Sequence, residues 1–315
     1  MTKEKILITD VSPRDGLQNQ KVMIDTAGKL GLMEKLLKAG VRRIEATSFV
    51  SPRAVPQMAD AAEVMAGLGP LQQTHPDLDV SALVPNLKGL ERALAAGAKE
   101  IAVVLSATEQ MNLKNINMGL EQAASVSEDT VRAALAAGIG ARAYVAVAWE
   151  CPFEGATDLS AVVALSQRMA AAGAQEVIIA DTIGAASPAQ VRDRCKVLLQ
   201  EVTGTELAVH FHDTRGMGVA NAWAALEAGI RRFDASAGGI GGCPFAPGAS
   251  GNVATEDVVL MAEQSGFSTG IDLGELLQAV AYAESLLGRP LGGHSAAWLR
   301  RKYGIGSGVA APIEG

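Results

Sequence analysis

The chain has 315 residues, 49% of them hydrophobic, with 34 glycines, which is ample for one large core. Its 27 basic and 34 acidic residues give a formal net charge of -7, and the basic ones are scattered. That excludes an electrostatic footprint for nucleic acid and a basic membrane-surface helix.

The first ten residues run straight into a strand pattern, without the apolar core and cleavage site of a signal peptide. No apolar run approaches the length of a membrane span. Three cysteines, Cys151, Cys195 and Cys243, are too few and too scattered for a disulfide framework. A reduced, cytoplasmic setting is expected.

Short β-branched runs alternate with alanine-rich stretches of helical spacing. Residues 6–9 predict the first strand and 25–39 a helix stopped by Gly40. A strand at 43–46 and a helix around 56–66 follow. Strands three to six fall at 79–84, 100–105, 141–148 and 176–180, each followed by a helix, at 87–96, 121–137, 159–172 and 188–201. The seventh strand begins at Leu207 and ends in His210-Phe211-His212-Asp213, with its helix at 218–228. Residues 232–236 form the eighth.

The helices share an ending: Ala39-Gly40, Ala96-Gly97, Ala172-Gly173 and Ala228-Gly229. Glycine there permits a left-handed turn, and a strand follows at once. Eight such units in sequence fit an α/β fold, a parallel (β/α)8 TIM barrel; an open doubly wound sheet is the alternative. No composition break interrupts the barrel region, about 5–237, so one catalytic domain is expected. Residues 238–252 are glycine-rich and read as a loop. Helices near 255–264 and 273–287 belong to a C-terminal part running to 303, before a loose tail at 304–315.

Side chains alternate across a strand, so His210 and His212 face the same way, with Cα atoms roughly 6.6 Å apart. Two imidazoles at that spacing can grip one metal ion, although an isolated pair would serve equally as satisfied histidines at a strand end. The rest of the chain decides between them. Active sites of (β/α)8 barrels lie at the carboxyl ends of the strands. The first strand ends in Ser12-Pro-Arg14-Asp15, the second carries Glu45, the sixth ends in Asp181, and the loop after the eighth carries Cys243 and reaches Asn252.

Asp15 would add a carboxylate to the two imidazoles, and Asn252 a carbonyl oxygen. Such a mixed set with open positions favours Mg²⁺ or Mn²⁺, with Zn²⁺ and Fe²⁺ left open. Arg14 is placed to neutralise oxyanion charge or to pair with Glu45 or Asp181. Glu45 and Asp181 are expected to orient the ligands and tune their charge. Cys243, in Gly241-Gly-Cys-Pro244, offers a thiol as proton donor or acceptor from a loop able to open and close. Cys151 and Cys195 read as packing cysteines.

The stretches Asp10-Val-Ser-Pro-Arg-Asp-Gly-Leu-Gln-Asn19, Ile44-Glu-Ala-Thr-Ser-Phe-Val-Ser-Pro52, Val209-His-Phe-His-Asp213 and Gly238-Gly-Ile-Gly-Gly-Cys-Pro-Phe245, with Ala249-Ser-Gly-Asn252, resemble the 3-hydroxy-3-methylglutaryl-CoA lyase family. These are TIM-barrel metallolyases, and the likeness runs from about residue 6 to residue 290. The resemblance implies a divalent metal held by Asp15, His210, His212 and Asn252. It implies substrate binding by Arg14, and catalysis by Cys243 with His210 aiding proton removal. The implied reaction gives acetyl-CoA and acetoacetate, as in leucine degradation and ketone-body formation. Arg215 and Met217 stand where better-known members tend to carry Tyr and Gln, and Glu150 where a small residue is more usual. Those departures bear on the acyl group. A lyase for a longer or branched 3-hydroxyacyl-CoA, or a condensing or aldolase relative, is the alternative. The expected partner is a small acyl-CoA, with no nucleic acid and no membrane, in a homo-oligomer.

Overall fold

The computed structural model describes residues 3–242 and 251–309. Eight strands close into a barrel in chain order: Leu7–Asp10, Arg43–Ser48, Asp79–Leu83, Glu100–Ser106, Gly140–Ala146, Glu176–Asp181, Glu206–Phe211 and Arg232–Ala235. Every neighbouring pair is parallel, and the first strand lies against both the second and the eighth. Closure settles the barrel over the open sheet, and it leaves no unpaired edge.

The helices pack outside the strands, as their apolar spacing requires. Helix Thr26–Lys38 buries Leu32, Met33, Leu36 and Leu37, and the Asp25 side chain caps it by accepting from the Gly28 amide. At the four shared endings the glycines take φ of +97° (Gly40), +81° (Gly97), +101° (Gly173) and +116° (Gly229), the left-handed turn expected of them. Inside the barrel, Leu83, Ala102, Tyr144, Ile178 and Ala208 form a separate small core.

Four features go beyond the sequence expectation. The helix expected around 56–66 is a 3₁₀ turn, Pro56–Met58, followed by short helices Ala61–Gly67 and Gly69–Thr74. Helix Glu109–Ile116 and the hairpin of Glu150–Cys151 with Gly155–Ala156 fill loops after the fourth and fifth strands. Helix Ala296–Tyr303 continues the fold after Thr255–Gln264 and Leu273–Leu287. No helix among the described residues is long and apolar enough to cross a membrane.

The two ends of the barrel differ in chemistry. At the amino end, charged residues begin the strands and pair with one another. Arg43 bridges Asp79 (3.0 Å) and Glu176 (2.9 Å), Arg232 reaches Glu176 (3.1 Å), and Arg142 pairs with Asp79 (2.9 Å) and with Glu100. These ion pairs plug that end and leave the carboxyl end as the open mouth.

Candidate metal centre and active site

The first strand ends in a single π-turn, Ser12–Gly16, closed by a bond from the Gly16 amide to the Val11 carbonyl (3.1 Å). Such five-residue turns re-aim side chains and recur at functional sites. This one presents Arg14 and Asp15 side by side. The Arg14 guanidinium donates from Nε to Glu45 Oε2 (2.7 Å) and from Nη1 to Asp15 Oδ1 (2.6 Å). Glu45 lies where the second strand slips register against the third, between Glu45 and Thr47. Arg14 thus does pair with Glu45, as one of the two sequence readings held.

The seventh strand supplies both histidines. Their ring centroids are 5.3 Å apart, and both side chains are buried. One ligand atom each from Asp15, His210 and His212 lie within 4.8 Å of one another. Asn252 completes the group. Its backbone bridges to His212 across an isolated antiparallel pair. Its Nδ2 donates to Asp15 Oδ2 (2.8 Å) and to the Ile240 carbonyl (3.1 Å). Two acceptors on that side fix the amide orientation, so Oδ1 is the other end, and it is buried without a hydrogen-bond partner among the described residues. His212 Nδ1 is likewise buried and, among the described residues, unpartnered. Buried polar atoms of this kind are rare unless something binds them.

The protonation states of Asp15 and His212 suit a cation. Burial alone would raise the Asp15 carboxyl, but Arg14, then His210 and His212, bring it down to about 2. Burial, followed by the neighbouring His210, lowers His212 to about 4, which leaves it a neutral imidazole at pH 7. The site therefore offers one carboxylate, two imidazoles and one amide oxygen, a set that fits a divalent metal.

Two residues that the sequence analysis passed over hold this arrangement. Asp234, in the eighth strand, stands in register with His210, and its Oδ2 lies 3.2 Å from His210 Nδ1. The same oxygen accepts from the Tyr144 hydroxyl at 2.7 Å. Tyr144 also sits with its ring 5.9 Å from the Arg14 guanidinium, and its phenol is pushed well up by burial and by Asp234. A carboxylate on the second nitrogen of a ligating histidine sets its tautomer and basicity. The available signal was an acid, Asp234, between the apolar Phe233 and Ala235 of a barrel strand.

Asp181 ends the sixth strand. Its two oxygens accept from the Ala185 (2.9 Å) and Ala186 (3.0 Å) amides, so it shapes its own loop. Cys243 lies outside the described residues. Cys151 and Cys195 are buried free thiols, with burial raising Cys195 to about 12, in keeping with packing roles.

Fold and site together define a parallel (β/α)8 barrel with a two-histidine, one-carboxylate centre at its mouth. A family model, HMGL-like, matches residues 5–282, and the chain belongs to that family. It is 43% identical over 286 residues to the mitochondrial hydroxymethylglutaryl-CoA lyase of Bos taurus, which spans 91% of this chain and 87% of that one. The solved HMG-CoA lyase of Bacillus subtilis superposes with a TM-score of 0.90 at 40% identity, over 95% of this chain and 100% of its own. An HMG-CoA lyase of Acinetobacter baumannii, in complex with coenzyme A and 3-methylmalate, gives 0.87 at 40% identity over 97% of each chain.

Proposed function

We infer that this chain is a divalent-metal-dependent carbon–carbon lyase that cleaves 3-hydroxy-3-methylglutaryl-CoA to acetyl-CoA and acetoacetate. The observation that carries this is the cluster of Asp15, His210 and His212, set at the mouth of a barrel that belongs to the HMGL-like family. The donor set suits Mg²⁺ or Mn²⁺, with Asn252 Oδ1 as a further oxygen. A bound cation would lower the pKa of the substrate's tertiary hydroxyl.

The remaining work falls to side chains. With Nδ1 engaged by Asp234, His210 has one ring nitrogen left, so ligation and proton removal compete for it; we assign ligation. Arg14, fixed between Glu45 and Asp15, is a permanent positive charge that offsets the thioester enolate formed as the bond breaks. The hydroxyl proton passes to water as the base, the tertiary carbon becomes the ketone of acetoacetate, the pair of the broken bond to the methylene next to the thioester becomes the enolate, and a proton delivered to that carbon completes acetyl-CoA. We assign that delivery to Cys243 on the strength of its glycine-rich sequence context alone. The same proposal makes the chain one catalytic domain, a homo-oligomer, working in a reduced cytoplasm that suits its free buried thiols.

The test is direct. Incubated with 3-hydroxy-3-methylglutaryl-CoA and Mg²⁺ or Mn²⁺, the protein should yield acetoacetate and acetyl-CoA in equal amounts. No product with either metal rejects the assignment. Cys243→Ala should lower kcat by about two orders of magnitude or more while Mn²⁺ affinity stays unchanged. Near-normal turnover rejects the thiol's role.

A further inference from the structure

Glu150 and Arg215, two of the three departures from the family pattern, lie on separate loops and meet in the fold. Arg215 follows the seventh strand, and Glu150 stands on the hairpin after the fifth. Arg215 Nη2 lies 3.8 Å from Glu150 Oε1. Arg215 Nη1 donates to the Ala185 carbonyl (3.2 Å), in the loop after the sixth strand. One guanidinium therefore touches three successive loops on the active rim.

The platform beneath this pair is firmly set. Val147 takes a left-handed backbone conformation (φ +50°), unusual for a β-branched residue. Its amide accepts no slack: it donates to Thr182 Oγ1 (2.8 Å), while its carbonyl accepts from Thr157 Oγ1 (2.6 Å). Arg194 binds the Ala148 (2.6 Å) and Thr157 (2.7 Å) carbonyls at the base of the hairpin. Strained backbone held this way clusters at binding sites.

The pair itself is loose. Side-chain exposure is 55% for Arg215 and 43% for Glu150, and an ion pair at that distance and exposure contributes little. Arg14, by contrast, is already committed to Glu45 and Asp15. Arg215 lies three residues after the metal-cluster residue His212, on the loop that leaves the seventh strand at the mouth.

We propose that Arg215 is a specificity-determining cation of the mouth: it takes an anionic group of the acyl-CoA substrate, and Glu150 is the counter-ion that this group displaces. The proposal rests on the acyl-CoA lyase reading above and names a recognition element within it. A guanidinium anchored on one edge by a backbone carbonyl keeps its other N–H groups for a carboxylate or phosphate fork. The anion is either the acyl carboxylate or a phosphate of the coenzyme, and the chemistry is shared.

The experiment compares the wild type with Arg215→Gln, Arg215→Lys and Glu150→Gln. Each is assayed with 3-hydroxy-3-methylglutaryl-CoA and with the same acyl group on N-acetylcysteamine, which lacks phosphate. Arg215→Gln should raise KM for the CoA thioester about tenfold with kcat within about twofold, the loss expected of one charged hydrogen-bond partner. Arg215→Lys should recover part of that loss, and Glu150→Gln should lower KM. If the KM defect persists with the truncated thioester, the acyl carboxylate is the anion; if it disappears, a coenzyme phosphate is. An unchanged KM in Arg215→Gln, or a collapse of kcat with KM intact, overturns the proposal. Mn²⁺ titration of each variant reports on the metal centre separately. A wild-type protein that turns over neither thioester defeats the functional reading rather than this one.

Discussion

Asp234 is the residue on which the centre's internal order depends. One of its oxygens serves both His210 Nδ1 and the Tyr144 hydroxyl, and Tyr144 in turn lies against Arg14. Asp234→Asn keeps the size of the side chain but replaces an acceptor-only oxygen pair with one acceptor and one donor. His210 then loses its charged partner, and its ring orientation is no longer enforced. Mn²⁺ affinity should fall about ten- to a hundredfold, measured by calorimetric titration, with the far-ultraviolet circular dichroism unchanged. An unaltered Kd would show that Asp234 serves Tyr144 alone. His212→Ala is the harsher variant. It removes a ligand whose Nδ1 has no other partner among the described residues, so it should abolish stoichiometric metal binding while the barrel, closed by eight strands, stays folded.

Among the elements, the repeated helix endings allow a controlled comparison. Gly40 and Gly97 end equivalent helices with positive φ, yet their surroundings differ. A Cβ at Gly97 would meet nothing within 4 Å, whereas at Gly40 it would collide with the Gly270 carbonyl oxygen. Gly97→Ala should therefore cost only the left-handed strain, about 1 kcal/mol. Gly40→Ala should cost that plus a backbone displacement, and its urea midpoint should fall clearly below that of Gly97→Ala. Equal midpoints would mean that the segment at Gly270 yields freely. These endings, and the eight units they punctuate, were legible because a period of 3.6 followed by glycine and a β-branched run is a local signal. Helix Glu109–Ile116 was not, because side-chain bonds to the end of the preceding strand, not apolar spacing, fix it. The buried Asn112 side chain accepts from the Ser106 amide and donates to the Ser106 and Thr108 carbonyls, a fixture that no periodicity announces. In the site, Arg14, Asp15, His210, His212 and Asn252 were visible as polar residues at strand ends. Asp234 and Tyr144 lie within strands, where a polar residue announces a partner but not which one. That pairing depends on register between strands, which a linear pattern does not contain.

At the scale of the whole molecule, the barrel segregates its charges. The carboxyl mouth gathers groups that act on a ligand, while the amino end is closed by ion pairs that act on one another. That plug is not balanced. Arg43, Arg142 and Arg232 face Asp79, Glu100, Glu176 and Glu206, three cations against four carboxylates. The surplus falls on Glu100. Burial raises its carboxyl to about 7, with Asp79 adding to the rise and Arg142 opposing it. A group whose folded pKa lies above its unfolded value near 4.5 favours the folded state only while it is protonated. Its contribution is therefore fully present below about pH 4.5 and is lost as the pH rises towards 7. Glu100→Gln makes the neutral form permanent. The variant should match the wild type in Tm at pH 4.5 and exceed it by several degrees at pH 8, with the gap opening across the interval between. A gap that is constant with pH, or a variant less stable at pH 8, would mean that Arg142 needs the Glu100 charge and that the ring holds as a charged network. Because the plug lies at the opposite end of the barrel from the metal centre, kcat at pH 8 should be the same in both proteins. Stability and turnover are thereby separable by end of barrel, which is the division that the placement of charge along the eight strands implies.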